Sequence, residues 1–147
     1  MIYISSDHGG FDLKNALVNF LNTKNMKVVD LGPQTLVPDD DFPDYTVPLV
    51  RKVSENPDNK GILICRNGVG VSIMANRFDG IRAVLSFDPK QAASSRNDDD
   101  TNVLALPADY IDSEKAKQIV QTWLTTNFSG ESRFKRRLNK IKQIENL

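Results

Sequence analysis

The stretch GILICRNGVGVS, residues Gly61 to Ser72, limits what this chain can fold into more than any other segment. Ile62, Leu63 and Ile64 form a short apolar run without alternation, the pattern of a strand covered on both faces of a parallel sheet. The run ends at Cys65, the only cysteine, and passes directly into a turn containing Gly68 and Gly70. A strand, a glycine turn and a helix N-terminus in that order present unpaired backbone N–H groups and make a natural anion site. The positive end of a helix also favours an anion beside it, a thiolate included. Cys65 is therefore a candidate base or nucleophile, with a small buried hydrophobe as the competing reading. A cysteine-phosphatase loop is disfavoured, because Val71 stands where its arginine would be.

Elsewhere, strand-like runs alternate with helical periods. Strands are predicted at Ile2 to Ser5, Lys27 to Leu31, the run up to Cys65, Ile81 to Leu85 and Asn102 to Leu106. Leu13, Leu17, Phe20 and Leu21 recur at helical spacing, and further helices are predicted from about Tyr45 to Ser54 and from near Asp88 and Pro89. Pro33 to Pro43, with three prolines and three consecutive aspartates, reads as a surface loop. Asp112 or Ser113 caps the next helix, whose Ala116, Ile119, Val120, Trp123 and Leu124 share one face. After Ser129 and Gly130, a C-terminal helix carries Phe134, Leu138, Ile141 and Ile144 on one side. The expected fold is α/β, a single domain over residues 1–147 with a doubly wound parallel sheet of about five strands. In such sheets ligands sit beyond the carboxyl ends of the strands. That rule gathers Asp7, His8, the Cys65 turn and Asp109, whereas Asp98 to Asp100 precede the fifth strand and need a long loop or a neighbouring subunit to join them.

Composition narrows the partners. No apolar run approaches the ~20 residues of a membrane span, and one cysteine cannot form an internal disulfide, so a cytoplasmic protein is expected. Nineteen acidic residues balance 19 basic ones, which gives no general attraction to nucleic acid or to an anionic membrane. The basic stripe from Arg133 to Lys142 is better suited to phosphate, with Arg133 and Arg137 one helical turn apart; a solvated basic face is its alternative. His8, the only histidine, is placed to contact phosphate or relay a proton, or to serve as a hydrogen-bonded turn residue. One histidine and one cysteine far apart do not make a zinc spacing, and no metal is expected, although three consecutive aspartates could hold a hard cation.

SSDHGGFDLK near the start, GILICRNGVGVSIMANRFDGIRA, SRNDDDTNVLALP and SRFKRR together resemble the ribose-5-phosphate isomerase type B family, which includes galactose-6-phosphate isomerase subunits. The resemblance covers nearly the whole chain. It implies a Rossmann-like sheet, a homodimer or dimer of dimers with sites between subunits, and no cofactor. The implied reaction is aldose–ketose isomerisation of a sugar phosphate, ribose 5-phosphate first, as in the pentose phosphate pathway. Carried over by residue, Cys65 matches the base that gives a cis-enediolate. The backbone of Arg66, Asn67, Gly68, Val69 and Gly70 would hold the developing charge. Asp7 and His8 match substrate-binding positions, and Arg133 and Arg137 match the phosphate clamp. Asp98 falls on the ring-opening histidine and Asp99 on the asparagine after it. The chain departs from the family there, at Arg66 and Asn67, where glycine and then threonine or serine are usual, and at Asp109, which falls on an arginine. These departures leave open a different sugar phosphate, or binding without turnover.

Overall fold

The computed structural model describes residues 1–147. Five strands, β1 (Ile2–Ser6), β2 (Val28–Asp30), β3 (Lys60–Cys65), β4 (Ala83–Leu85) and β5 (Val103–Pro107), form one parallel sheet in the order β2-β1-β3-β5-β4. Six helices, α1 (Phe11–Thr23), α2 (Phe42–Ser54), α3 (Val69–Ala75), α4 (Pro89–Asp99), α5 (Ser113–Thr125) and α6 (Ser132–Glu145), accompany it. The two-residue period of the strands divides the apolar residues between the faces. Ile4, Ile62 and Leu104 stand in register and pack with Leu17 and Leu21 of α1 and with Ala116, Ile119, Val120 and Trp123 of α5. Leu63, Cys65, Val103 and Ala105 point the other way, onto Leu49, Val50 and Val53 of α2 and Val71 and Ala75 of α3. Helices cover both faces, so the sheet is doubly wound, as the unalternating apolar runs imply.

Element ends differ from expectation for local reasons. α2 begins at Phe42 rather than near Tyr45, because Pro43 lies in its first turn, where a missing N–H costs nothing. β4 is confined to Ala83–Leu85; Ile81 packs in the core beside it, outside the strand. Asn102 lies outside β5, its side chain accepting from the Arg82 amide at 2.8 Å and donating to the Gly80 carbonyl at 2.8 Å. α4 has no apolar stripe of its own and is set by its ends. Asp88 accepts from the Gln91 amide at 3.0 Å, and Pro89 opens the helix. Asp100, at φ 46°, closes it and binds Arg96 at 2.8 Å and Arg82 at 3.0 Å. Thr101 completes this corner by accepting from the Trp123 indole at 2.9 Å.

After β1 the chain winds toward β2, and after β2 it returns to place β3 on β1's other side. The reversal leaves a crevice at the carboxyl ends of β1 and β3, where ligands of open α/β sheets bind. Asp7 and His8 leave one strand there, and Cys65 and Arg66 leave the other.

Candidate active site

The β1 exit is fixed by hydrogen bonds. Asp7 Oδ1 accepts from the amides of Gly9 at 2.9 Å and Gly10 at 3.3 Å, capping a single 3-10 turn over His8–Gly10. A Cβ on Gly10 would lie 2.6 Å from the Ile64 carbonyl, so only glycine lets this turn rest on β3. Burial raises the Asp7 carboxyl above the usual carboxylate range, against the opposing pull of His8 and the two amides. His8 donates through its amide to Asp40 Oδ1 at 2.9 Å and through Nδ1 to the same oxygen at 2.7 Å. That bond raises the imidazole above its ordinary value. Burial alone would raise Asp40, yet the His8 amide and ring and the Tyr45 hydroxyl outweigh it and hold the carboxylate below its ordinary value. With Nδ1 held, Nε2 is the nitrogen left for a ligand. Asp7, His8 and Asp40 bring potential metal-ligating atoms within 4.8 Å of one another, but a cation would have to displace these same hydrogen bonds.

At the β3 exit Cys65 is buried, and its thiol lies 3.8 Å from the side-chain oxygen of Asn67. The same oxygen accepts from the Val69 amide at 3.0 Å. Asn67 thus links the thiol to the start of α3. The Val69 N–H, expected to face a ligand, is engaged with this side chain instead; Gly70 and Val71, one step further into the helix, have no intrahelical acceptor by construction. Gly68 sits at φ 72°, and a Cβ there would collide with Leu85 and lie 3.2 Å from the backbone of Leu106 and Pro107. A Cβ on Gly70 would lie 2.7 Å from the Phe42 ring, which covers the turn.

β3 and β5 remain paired past their ends. The Ala108 amide donates to the Cys65 carbonyl at 2.9 Å and the Asp109 amide to the Arg66 carbonyl at 2.9 Å. Arg66 and Asp109 are therefore held abreast, with Nη1 3.5 Å from Oδ2. Together with His8 they line a cavity of about 480 Å³.

The remaining candidates lie elsewhere. Asp98 and Asp99 end α4, at the amino end of β5. β5 has five residues, roughly 16 Å of rise, so this is the opposite edge of the sheet from Cys65. Asp98 accepts from the Asn97 side chain at 2.7 Å. Loss of solvent raises Asp99 above the usual carboxylate range, neighbouring Asp98 adds to the effect, and Arg137 on α6 draws it back. Arg133 and Arg137 place their guanidinium carbons 4.6 and 5.7 Å from the centre of the buried Phe134 ring. Their one-turn spacing is thereby set, although Arg133 also binds Glu131 at 3.0 Å. One copy of the chain brings Asp7, His8 and Cys65 to Gly70 together, and separately Asp98, Asp99, Arg133 and Arg137. Asp40, Tyr45 and the Asn67 carboxamide join the first group without having been singled out for that role. The only signal for Asp40 is three aspartates ahead of a helix that needs one cap.

The chain matches the ribose/galactose isomerase family over residues 2–141. It is 40% identical over 144 residues to ribose-5-phosphate isomerase B of Escherichia coli strain K12, covering 98% of this chain and 95% of that protein. A Mycoplasma pneumoniae protein described as a probable ribose-5-phosphate isomerase B is 44% identical over 140 residues, covering 95% and 91%. The crystal structure of ribose-5-phosphate isomerase B from Mycoplasma genitalium with bound ribulose 5-phosphate superposes with a TM-score of 0.95 at 41% identity, covering 99% of this chain and 95% of that one.

Proposed function

This chain belongs to the ribose/galactose isomerase family, and we propose from that membership that it interconverts ribose 5-phosphate and ribulose 5-phosphate through a cis-enediolate. The observation that carries the proposal is a buried thiol at the crevice of the doubly wound sheet, linked through the Asn67 side chain to the start of α3. A sugar phosphate bound to a relative of such close structure supports the ligand class.

In this reading the Cys65 thiolate removes the C2 proton of the open-chain aldose. The C–H electron pair becomes the C1=C2 bond of the enediolate, and the carbonyl pair moves onto O1. Backbone amides of the Cys65 turn stabilise that oxygen as its charge develops. Cys65 then delivers a proton to C1 along the C1=C2 electron pair, the O2–H pair becomes the C2=O2 bond, and the O2 proton passes to O1, leaving the ketose. His8 meets the substrate through Nε2, with Asp40 fixing its ring.

The second group of residues enters from another copy. Asp98 would serve ring opening, Asp99 a sugar hydroxyl, and Arg133 and Arg137 the phosphate, at a site shared between two protomers. A homodimer has support in α6, whose Ile141 and Ile144 are 49% and 69% exposed beside a groove of about 710 Å³ along edge strand β4. The same reading places the protein in the cytoplasm, where a catalytic thiol stays reduced. No helix is long and apolar enough to cross a membrane. Asp98, Asp99 and Asp109, three acids in this family's polar site positions, favour one variant of the proposal, the same chemistry on a different sugar phosphate. The test is turnover of a panel of aldose phosphates followed by NMR. Formation of ribulose 5-phosphate from ribose 5-phosphate, lost in Cys65→Ala, supports the proposal, and turnover retained by that variant contradicts it.

A further inference from the structure

We propose that the Arg66 side chain, and not only its backbone, is a ligand for the substrate's phosphate, and that Asp109 holds it in place until the phosphate arrives. The inference rests on the sugar-phosphate reading above and concerns a side chain to which that reading gives no role.

Ten residues line the cavity that His8, Arg66 and Asp109 share, and Arg66 is the only lysine or arginine among them. Asp12 and Asp109 in the same wall are acidic, so within one copy of the chain only the Arg66 guanidinium offsets their repulsion of a dianionic group there. His8 shares the cavity and lies close enough for the Arg66 charge to oppose protonation of its ring. The two groups thus face one space from adjoining strand ends. A planar guanidinium matches phosphate oxygens two at a time, and the imidazole nitrogen in the same cavity offers a further donor.

Arg66 is placed there by packing as well as by charge. A Cβ on Gly9 would run into Arg66 Cγ and come within 3.2 Å of the Arg66 amide. The arginine stem therefore lies across the bare face of the His8–Gly10 turn, and any larger residue at position 9 would push it away. Its carbonyl is tied to the Asp109 amide, which fixes the backbone from which the side chain springs. The guanidinium is held more loosely. It stands 3.5 Å from Asp109, with the two side chains 62% and 48% exposed. An exposed pair at that separation is weak and exchangeable, and phosphate, carrying more charge and more acceptor oxygens, displaces the single carboxylate.

The experiment compares wild type with Arg66→Gln, Arg66→Lys and Asp109→Asn in steady-state kinetics with ribose 5-phosphate and in competitive inhibition by inorganic phosphate. Arg66→Gln is expected to raise KM and weaken phosphate inhibition by the same factor, about ten- to a hundredfold, with little change in kcat. Arg66→Lys keeps the charge without the fork and falls between. Asp109→Asn releases the guanidinium and tightens phosphate inhibition. Unchanged KM in Arg66→Gln overturns the proposal, as does a raised KM with phosphate inhibition unaltered, which would put Arg66 on the sugar. Weaker phosphate inhibition in Asp109→Asn overturns the role given to Asp109. Melting temperatures check that these exposed substitutions leave the fold intact. Should wild type turn over no ribose 5-phosphate, the isomerase reading fails by itself. Calorimetric titration with inorganic phosphate then decides on Arg66, with the same tenfold or larger loss expected in Arg66→Gln and an equal affinity contradicting it.

Discussion

The crevice between β1 and β3 and the corner between α4 and α6 each carry polar side chains that the proposed reaction uses, yet they are built differently. In the crevice the backbone does the positioning. Asp7 caps a three-residue turn, Gly10 rests on the Ile64 carbonyl, Gly68 adopts φ 72° against the β5 backbone, and Cys65 is buried at a strand end. At the corner, side chains project from helices into solvent, held by contacts such as Asp99 near Arg137 and the two arginines against Phe134. The first group is fixed by the chain's own backbone. The second makes sense as the far wall of a site whose near wall lies on another molecule.

The largest effect expected from this division comes from variants that disable one half each. Cys65→Ala should lower kcat by about 10²- to 10⁴-fold, and Arg137→Ala should cripple substrate binding. Mixed by co-expression, they should recover about a quarter of wild-type activity, since half of randomly paired dimers carry one intact site of two. A mixture as inactive as its components would mean that each protomer builds its own site.

Next in size, Gly68→Ala should cost about 3 kcal/mol of stability, from left-handed backbone strain together with overpacking against Leu85. Gly80→Ala, at φ 75° with open space around it, should cost about 1 kcal/mol. Chemical denaturation measures both, and equal losses would remove the argument that the Cys65 turn is sterically locked. At the other wall, Asp98→Ala should reduce kcat/KM by about ten- to a hundredfold while leaving stability unchanged. A melting temperature that falls with activity would assign Asp98 to the structure of α4.

The smallest effect belongs to Asp40. Asp40→Asn should lower the His8 pKa toward its ordinary value, read by NMR titration of the single imidazole. Because His8 is raised in the folded state, its bond to Asp40 contributes stability below the unfolded histidine value, near 6.5, and loses it as pH rises through the higher folded value. Wild type should therefore lose this margin over Asp40→Asn as pH climbs past neutrality. A difference that grows with pH would contradict the assignment.

What the sequence reveals follows the same division. β3 and its turn are legible because an unbroken apolar run, one cysteine and two glycines are local signals, and the strand ends at Cys65 as expected. α5 is legible from its apolar face and from Asp112, which accepts from the Lys115 amide at 2.7 Å. The start of α2 is misplaced because Pro43 marks a loop and a first helical turn equally well. Asp40 escapes notice because its purpose depends on His8, 32 residues away, and an aspartate in an acidic run looks solvated; its side chain is in fact 6% exposed. The pairing of Arg66 with Asp109 is likewise a product of β3 and β5 lying side by side. Asn67 lies two residues from Cys65, but a motif records only its identity, not the turn that brings its oxygen to the thiol and to the Val69 amide.

The proposed reaction stands on Cys65 moving a proton between C2 and C1 of a sugar phosphate. Ribose 5-phosphate incubated with the protein in heavy water and followed by proton NMR tests it directly. Deuterium is expected at C2 of recovered ribose 5-phosphate and at C1 of the ribulose 5-phosphate formed, both absent with Cys65→Ala. Deuterium uptake or isomerisation that persists in Cys65→Ala would contradict it.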